Sequence, residues 1–237
     1  MTLPSGTLSS AETASPLAPP SAPAIKPVLR GWFHAGAAVF AVALTALMCW
    51  RSWSDVPRMI SVAVFGVSMI ELYVISALYH IPAWSPPTRG RLRRLDQAGI
   101  FVQIASTYTP LCFNILTGWV RPTMLVVIWT LACIGAGGAL AQLWRSRRIS
   151  VGLYICMGWV ALLIFPALFQ RLPLGGVALL VVGGLIHTAG AIIYARRRPN
   201  PWPRVLGFHE LFHLCVVGGN GTFAAAIWLW VLPLAHS

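Results

Sequence analysis

The sequence is short of charge, and of acid above all. Only 9% of its 237 residues are charged, and five are acidic: Glu12, Asp55, Glu71, Asp96 and Glu210. A soluble domain carries charge on roughly a quarter of its residues, so this composition excludes an ordinary water-facing surface. Lysine is almost missing, with Lys26 standing alone. That excludes a retinal protein, which needs a lysine in its last span for the Schiff base. The five cysteines (Cys49, Cys112, Cys133, Cys156 and Cys215) include no C-x-x-C pair, and most fall in apolar runs. A disulfide framework or a cysteine zinc site is therefore excluded, and the thiols read as small buried packing residues. No basic residue precedes Lys26, and residues 1–25 contain no apolar h-region. They do not read as a signal peptide; their Ala, Ser and Pro content predicts a disordered cytoplasmic tail.

What is present is apolar sequence in long runs. Hydrophobic residues make up 57% of the chain and its mean hydropathy is +0.75. Runs of about 18 or more apolar residues read as membrane spans. Seven are expected, over 33–50, 59–79, 98–116, 122–143, 150–169, 174–194 and 208–232, with proline or arginine at nearly every junction. Residues 26–237 then form one membrane domain. With the N-terminus inside, 13 of the 17 basic residues fall on cytoplasmic segments: Lys26 and Arg30, then the clusters Arg89–Arg94, Arg145–Arg148 and Arg196–Arg204. Arg51, Arg58, Arg121 and Arg171 fall outside. The positive-inside rule thus predicts a cytoplasmic N-terminus, an outer C-terminus and an odd number of spans. The expected fold is an all-α, integral membrane seven-transmembrane-helix bundle. The net charge of +12 belongs to these clusters and not to a nucleic-acid-binding face. Trp50, Trp53, Trp84, Trp119, Trp144, Trp202 and Trp230 lie near span ends, as an interfacial belt would. Gly135–Ala139, Gly183 with Gly184, and Gly218 with Gly219 are expected to let helices approach closely.

Ionisable residues inside spans are costly and point to function. The orientation brings His80 to the inner end of span two, Asp96 to the start of span three, and His209 and His213 to the first turns of span seven. Four polar residues therefore share one depth near the inner face. His209 and His213 are four apart, so both imidazoles lie on one helix face and can share a metal. Ser76 lies one turn deeper on the face of His80. Three histidine ligands leave a fourth zinc position open, as catalytic sites do, and zinc lowers the pKa of a bound water toward about 7. Asp96 can orient or deprotonate that water, and Ser76 can hold it or a substrate oxygen. A competing reading comes from His209-Glu210-Leu211-Phe212-His213, a literal H-E-x-x-H metalloprotease string. Intramembrane proteases of that kind need a further, usually acidic ligand, and no acid follows Glu210.

Several stretches together look like a known pattern: Ser76-Ala-Leu-Tyr-His80, Arg94-Leu-Asp96-Gln-Ala-Gly-Ile100, Ile104-Ala-Ser-Thr-Tyr-Thr-Pro110, Met157-Gly-Trp159, Gly183-Gly184 and Gly207-Phe-His-Glu-Leu-Phe-His213. The chain resembles the hemolysin III family, bacterial relatives of the progestin and adipoQ receptors, over about residues 26–230. The resemblance implies seven spans, an inside N-terminus and a zinc ion. It carries the three zinc histidines onto His80, His209 and His213, the aspartate that contacts zinc through water onto Asp96, and the family serine onto Ser76. The wider superfamily includes alkaline ceramidases, which hydrolyse lipid amides. The sequence departs from the pattern at Gln97, where histidine is frequent, at His187, where tyrosine is common, and near Thr222 and Phe223, where a further histidine is absent. None of these removes an expected ligand. His187 is expected beside the site, in its substrate pocket, or simply packed. Glu71 is expected protonated or paired in the bundle interior, and His34 at the interface.

The leading expectation is a zinc-dependent membrane hydrolase of lipid amides or esters at the cell membrane, with membrane lipid as substrate or ligand. The alternative is a non-enzymatic sensor, a lipid-homeostasis regulator or a hemolysin-type cytolytic protein with structural zinc. Cytolysis has little support, since no amphipathic pore-forming segment is present. A proton or ion transporter would need a polar path through the outer half, where ionisable groups are few.

Overall fold

The computed structural model describes residues 26–144 and 146–234, so the tail expected over 1–25 lies outside the described residues. The described chain is helical: α1 (Trp32–Arg51), α2 (Val56–His80), α3 (Pro86–Ile115), α4 (Val120–Leu140), α5 (Arg147–Trp159), α6 (Phe165–Arg171), α7 (Leu174–Arg196) and α8 (Phe208–Ala226). A 3₁₀ segment, Val160–Ile164, joins α5 to α6, and a π segment, Ile227–Val231, extends α8. Among the described residues there is no β-strand beyond an isolated bridge between Trp202 and Leu206.

Six of the expected spans are helices long and apolar enough to cross a membrane: α1, α2, α4, the α5–α6 composite, α7, and α8 with its π extension. α3 differs in two respects. It begins at Pro86, twelve residues ahead of the expected 98, because Ser85 and two prolines open a helix that hydropathy alone does not register. Asp96 therefore sits well inside α3 and not at its start. Its 30 residues also fall short on apolar content, carrying Arg89, Arg91, Arg93 and Arg94 early and Gln97, Gln103, Ser106, Thr107 and Asn114 later. Packing explains the later group. α3 touches α2, α4, α5, α6 and the π segment, so that Gln103, Ser106 and Thr107 are buried against protein, while Arg89, Arg91 and Arg93 in its first turns are exposed.

α1 packs on α2, α2 on α3, α3 on α4, and α7 on α8, while α8 returns to α1. The small residues work as expected at one member of each glycine pair. A Cβ at Gly183 would overlap Thr222 and Phe223, and one at Gly219 would overlap the His187 ring; Gly184 and Gly218 are not so confined. The break between α5 and α6 has a side-chain cause. Carbonyls that a continuous α-helix would use internally accept instead from the Tyr108 hydroxyl, Gly158 O at 2.6 Å and Met157 O at 3.1 Å. In a membrane every such carbonyl needs a partner. The tryptophan belt holds for Trp50, Trp53, Trp119 and Trp202, which are exposed. Trp144 instead turns inward, donating to Gly135 O at 2.8 Å, and Trp230 packs on Gly176. The cysteines also divide: Cys112 is buried, but Cys133 and Cys156 face outward, since each lies on the exposed side of its helix.

The bundle has two polar ends. One gathers the starts of α1, α5 and α8 and the ends of α2 and α7, through contacts such as Arg147 with the Tyr194 carbonyl at 3.2 Å. The segment before α1 is strapped there by Val28 N to Arg204 O at 3.0 Å and by Lys26 Nζ to Ile81 O at 3.2 Å. Partial burial, with Arg89 and Arg30 nearby, lowers the Lys26 pKa below its ordinary value. At the other end Arg58 donates to Asn114 Oδ1 at 3.2 Å and to the carbonyls of Leu232 and Leu234, the latter at 2.6 Å.

Candidate metal centre

α8 starts where it does because Glu210 caps it. The Glu210 carboxylate accepts the Gly207 N–H at 2.8 Å, closing the first turn, and also pairs with Arg30 from the strap. Its side chain is 0% exposed. The acid of the H-E-x-x-H string is thus committed to the helix start and to Arg30, about a quarter-turn away from the face that His209 and His213 share. This removes the feature on which the protease reading rests.

His209 and His213 meet His80 from the last turn of α2. His80 Nε2 and His209 Nε2 are 3.1 Å apart, and one nitrogen from each of the three rings lies within 4.8 Å of the others. A tetrahedral zinc with Zn–N bonds of 2.0–2.1 Å needs nitrogens separated by about 3.4 Å, so one pair already lies near that spacing. His80 is locked by the strap. Gly31 adopts a left-handed φ of 88°, and a Cβ there would lie 2.8 Å from the His80 Cβ, so glycine is needed both for its dihedral and for this approach. His213 Nδ1 is buried without a hydrogen-bond partner. An unpaired buried nitrogen costs about 1–3 kcal/mol, and three converging imidazoles form a donor set in which a metal ion can take up lone pairs. These three histidines could hold a metal ion.

The structure adds a fourth histidine that the sequence misplaced. His34, expected at the interface, is 2% exposed and stacks on His213 with ring centroids 4.0 Å apart and planes 12° apart. Neither of its ring nitrogens makes a well-formed hydrogen bond. It lies in the first turn of α1, and the return of α8 to α1 carries it inward; depth along one helix does not reveal such lateral closure. Glu71 moves in the opposite sense. Expected in the interior, it sits on the exposed face of α2 with Val67, Val74 and Leu78.

Ser76 of α2 and Asp96 of α3 are neighbours across the two helices. Both line a cavity of about 180 Å³ that also receives His34, His209 and His213. Along α3 its walls run from Asp96 to Leu111, about 22 Å of helix at 1.5 Å per residue. The far part is apolar, with Leu111, Ile164, Leu168 and Leu180. Gln97 and His187, the two departures noted in sequence, line the same space, and Arg147 stands where it meets the polar end. The cavity lies between α3, α5, α7 and α8. Gly184, which meets no helix, borders it.

A family model described as haemolysin-III related matches residues 23–224. The chain is 34% identical over 179 residues to hemolysin-3 of Bacillus cereus, covering 74% of this chain and 77% of that protein. It is 33% identical over 164 residues to a hemolysin-3 homolog of Bacillus subtilis (strain 168), covering 68% and 72% respectively. Human monocyte to macrophage differentiation factor is 23% identical over 205 residues, covering 84% of this chain and 81% of that protein.

Proposed function

The chain belongs to the haemolysin-III-related family of multi-pass membrane proteins, and from that premise we propose that it is a zinc-dependent hydrolase of lipid amides or esters. One observation carries the reading. Two members of a three-histidine cluster, His209 and His213, line a long and largely apolar cavity inside a membrane bundle together with Asp96 and Ser76. Apolar cavities with a few convergent polar groups are the usual form of a small-molecule site. α3 counts as the seventh span in this proposal, since Gln103, Ser106 and Thr107 are buried against protein, and the histidine end of the bundle is cytoplasmic under the positive-inside rule.

His80, His209 and His213 would hold the ion, which when bound would polarise a substrate carbonyl and acidify a water. The chain's own groups do the rest. The apolar walls take the acyl chain and exclude water around it. Asp96 receives the proton of the attacking water and returns it to the leaving nitrogen or oxygen as its bond to the acyl carbon breaks, releasing the carboxylic acid and the amine or alcohol. Ser76 keeps the Asp96 carboxyl in place, and its hydroxyl turns toward the developing oxyanion. Arg30 and Glu210 fix the first turn of α8, and with it the spacing of the two histidines.

The test is purified protein in lipid nanodiscs with a panel of long-chain amides and esters, with and without chelator. Turnover is expected, abolished by chelator and restored by zinc. Asp96→Asn is expected to lower the rate roughly 10²–10⁴-fold with metal content retained. Chelator-insensitive turnover, or none on any substrate, would sink the hydrolase.

One observation favours a second reading, in which zinc braces the bundle. The three ligands come from α2 and α8, which are not among the extensively packed helix pairs. On this reading chelator lowers thermal stability and the panel yields no turnover. The protein would then serve as a sensor or a regulator of membrane lipid. The hemolytic activity that the relatives' names imply would require the chain to lyse cells, and a lysis assay with purified protein decides that.

A further inference from the structure

The cavity is not apolar along its whole length. Partway down, well past the histidines, Gln103 of α3, His187 of α7 and Asn220 of α8 all line it. Asn220 lies seven residues beyond His213 on α8, about 10 Å along the axis. The His187 ring is held rigid. It stacks on Phe223 with centroids 5.3 Å apart and planes 8° apart, presses on Gly219, and places Nδ1 2.9 Å from Gly183 O. Asn220 lies beside His187 and donates to Tyr73 Oη at 3.1 Å. Gln103 donates to Asn220 Oδ1 at 3.5 Å, while the Ser106 hydroxyl donates to the Gln103 backbone carbonyl at 2.9 Å.

Interhelical glue alone would account for polar residues between helices. It would not require that three of them face a cavity, and it would favour short bonds. The one contact that links the Gln103 amide to Asn220 is instead at the outer limit of hydrogen-bond length. Each of the two amides carries a second N–H beyond the one named, so the group has capacity for another partner on the cavity side. A polar group inside a membrane bundle is costly enough to mark a binding position.

We infer that Gln103, His187 and Asn220 form a recognition station for a hydrogen-bonding group partway along the bound chain, so that the cavity selects acyl chains oxygenated near the middle, such as hydroxylated fatty acyl amides. The inference rests on the lipid reading above. A plain chain would lie against these polar groups unpaired, whereas a mid-chain hydroxyl would accept from an amide N–H and donate to a carbonyl oxygen of the station. Sites built to hydrogen-bond a hydroxyl discriminate strongly against ligands that lack it.

The experiment measures binding to the metal-loaded protein in nanodiscs by displacement of a fluorescent fatty acyl amide. Competitors are amides of one chain length, unsubstituted or with the hydroxyl moved along the chain. One mid-chain isomer is expected to bind roughly tenfold tighter than the unsubstituted chain, the equivalent of one good hydrogen bond. Asn220→Leu and His187→Phe are expected to abolish that preference while keeping affinity for the unsubstituted chain. His187→Phe preserves the stack on Phe223, so it serves if Asn220→Leu fails to fold. Binding of all isomers with equal affinity overturns the station and leaves the lipid reading intact. Failure of every chain to bind overturns both. Unchanged isomer preference in both variants also overturns the assignment to these residues.

Discussion

The two ends of the bundle each hold a polar cluster, and they differ in what the cluster leaves undone. At the Arg58 end, the guanidinium reaches Asn114 and the carbonyls of Leu232 and Leu234 just past the π segment, and pairs with Asp55, which also accepts the Arg58 N–H at 3.1 Å. Asn114 in turn donates to Ser61 Oγ at 3.1 Å and Pro110 O at 2.7 Å. These bonds tie α2 and α3 to the segment that follows the π helix, and none of these residues lines the cavity at the histidine end. At the histidine end, four imidazoles crowd together, His213 Nδ1 and both His34 nitrogens lack hydrogen bonds, and a cavity begins. A cluster that satisfies itself is a fastening. One that leaves buried nitrogens converging on open space has capacity for a ligand.

The largest expected effect separates the two ends directly. His209→Ala is expected to drop bound zinc from about one ion per chain to background, measured by elemental mass spectrometry of purified protein; equal zinc in the variant and the parent would erase the distinction. The complementary change, Arg58→Leu, is expected to cost about 2–4 kcal/mol of stability with zinc content unchanged, since it removes the donor to Asn114 Oδ1 and to the Leu232 and Leu234 carbonyls. Thermal unfolding in detergent checks it, and loss of metal from this variant would mean the ends are coupled. The smallest effect belongs to a residue of neither cluster. Glu71→Gln on the exposed face of α2 is expected to leave zinc content and turnover unchanged and stability within about 0.5 kcal/mol. A marked loss of zinc there would show that the outer face of α2 reaches the site.

The histidine end of this contrast is partly legible in the sequence; the Arg58 end is not. Charge clusters and helix periodicity bring His80, Asp96, His209 and His213 to one depth with Ser76 a turn deeper; the three histidines meet, and Ser76 and Asp96 line the cavity that His209 and His213 border. What escaped was position around each helix axis relative to its neighbours. His34 looked peripheral because it lies at a helix start, yet the closure of α8 on α1 buries it against His213. Glu71 looked internal because it is an acid in an apolar run, yet the face it occupies is the one α2 leaves uncovered. Glu210 belonged to a recognisable string, but its partner Arg30 lies in the strap before α1, too far along the chain for spacing to link them. α3 was read as starting late because hydropathy is blind to a helix that emerges with arginines on it.

The sequence by itself determined that the chain is a helical membrane protein and which residues share a layer, because hydropathy and the helical repeat are local properties. The tertiary structure alone decided which of those residues touch, that His34 joins them, that Glu210 turns away, and that a cavity with a polar station at Gln103, His187 and Asn220 leads from them. Those outcomes depend on how helices distant in sequence pack side by side, and packing of that kind is set by the shape of every interface at once.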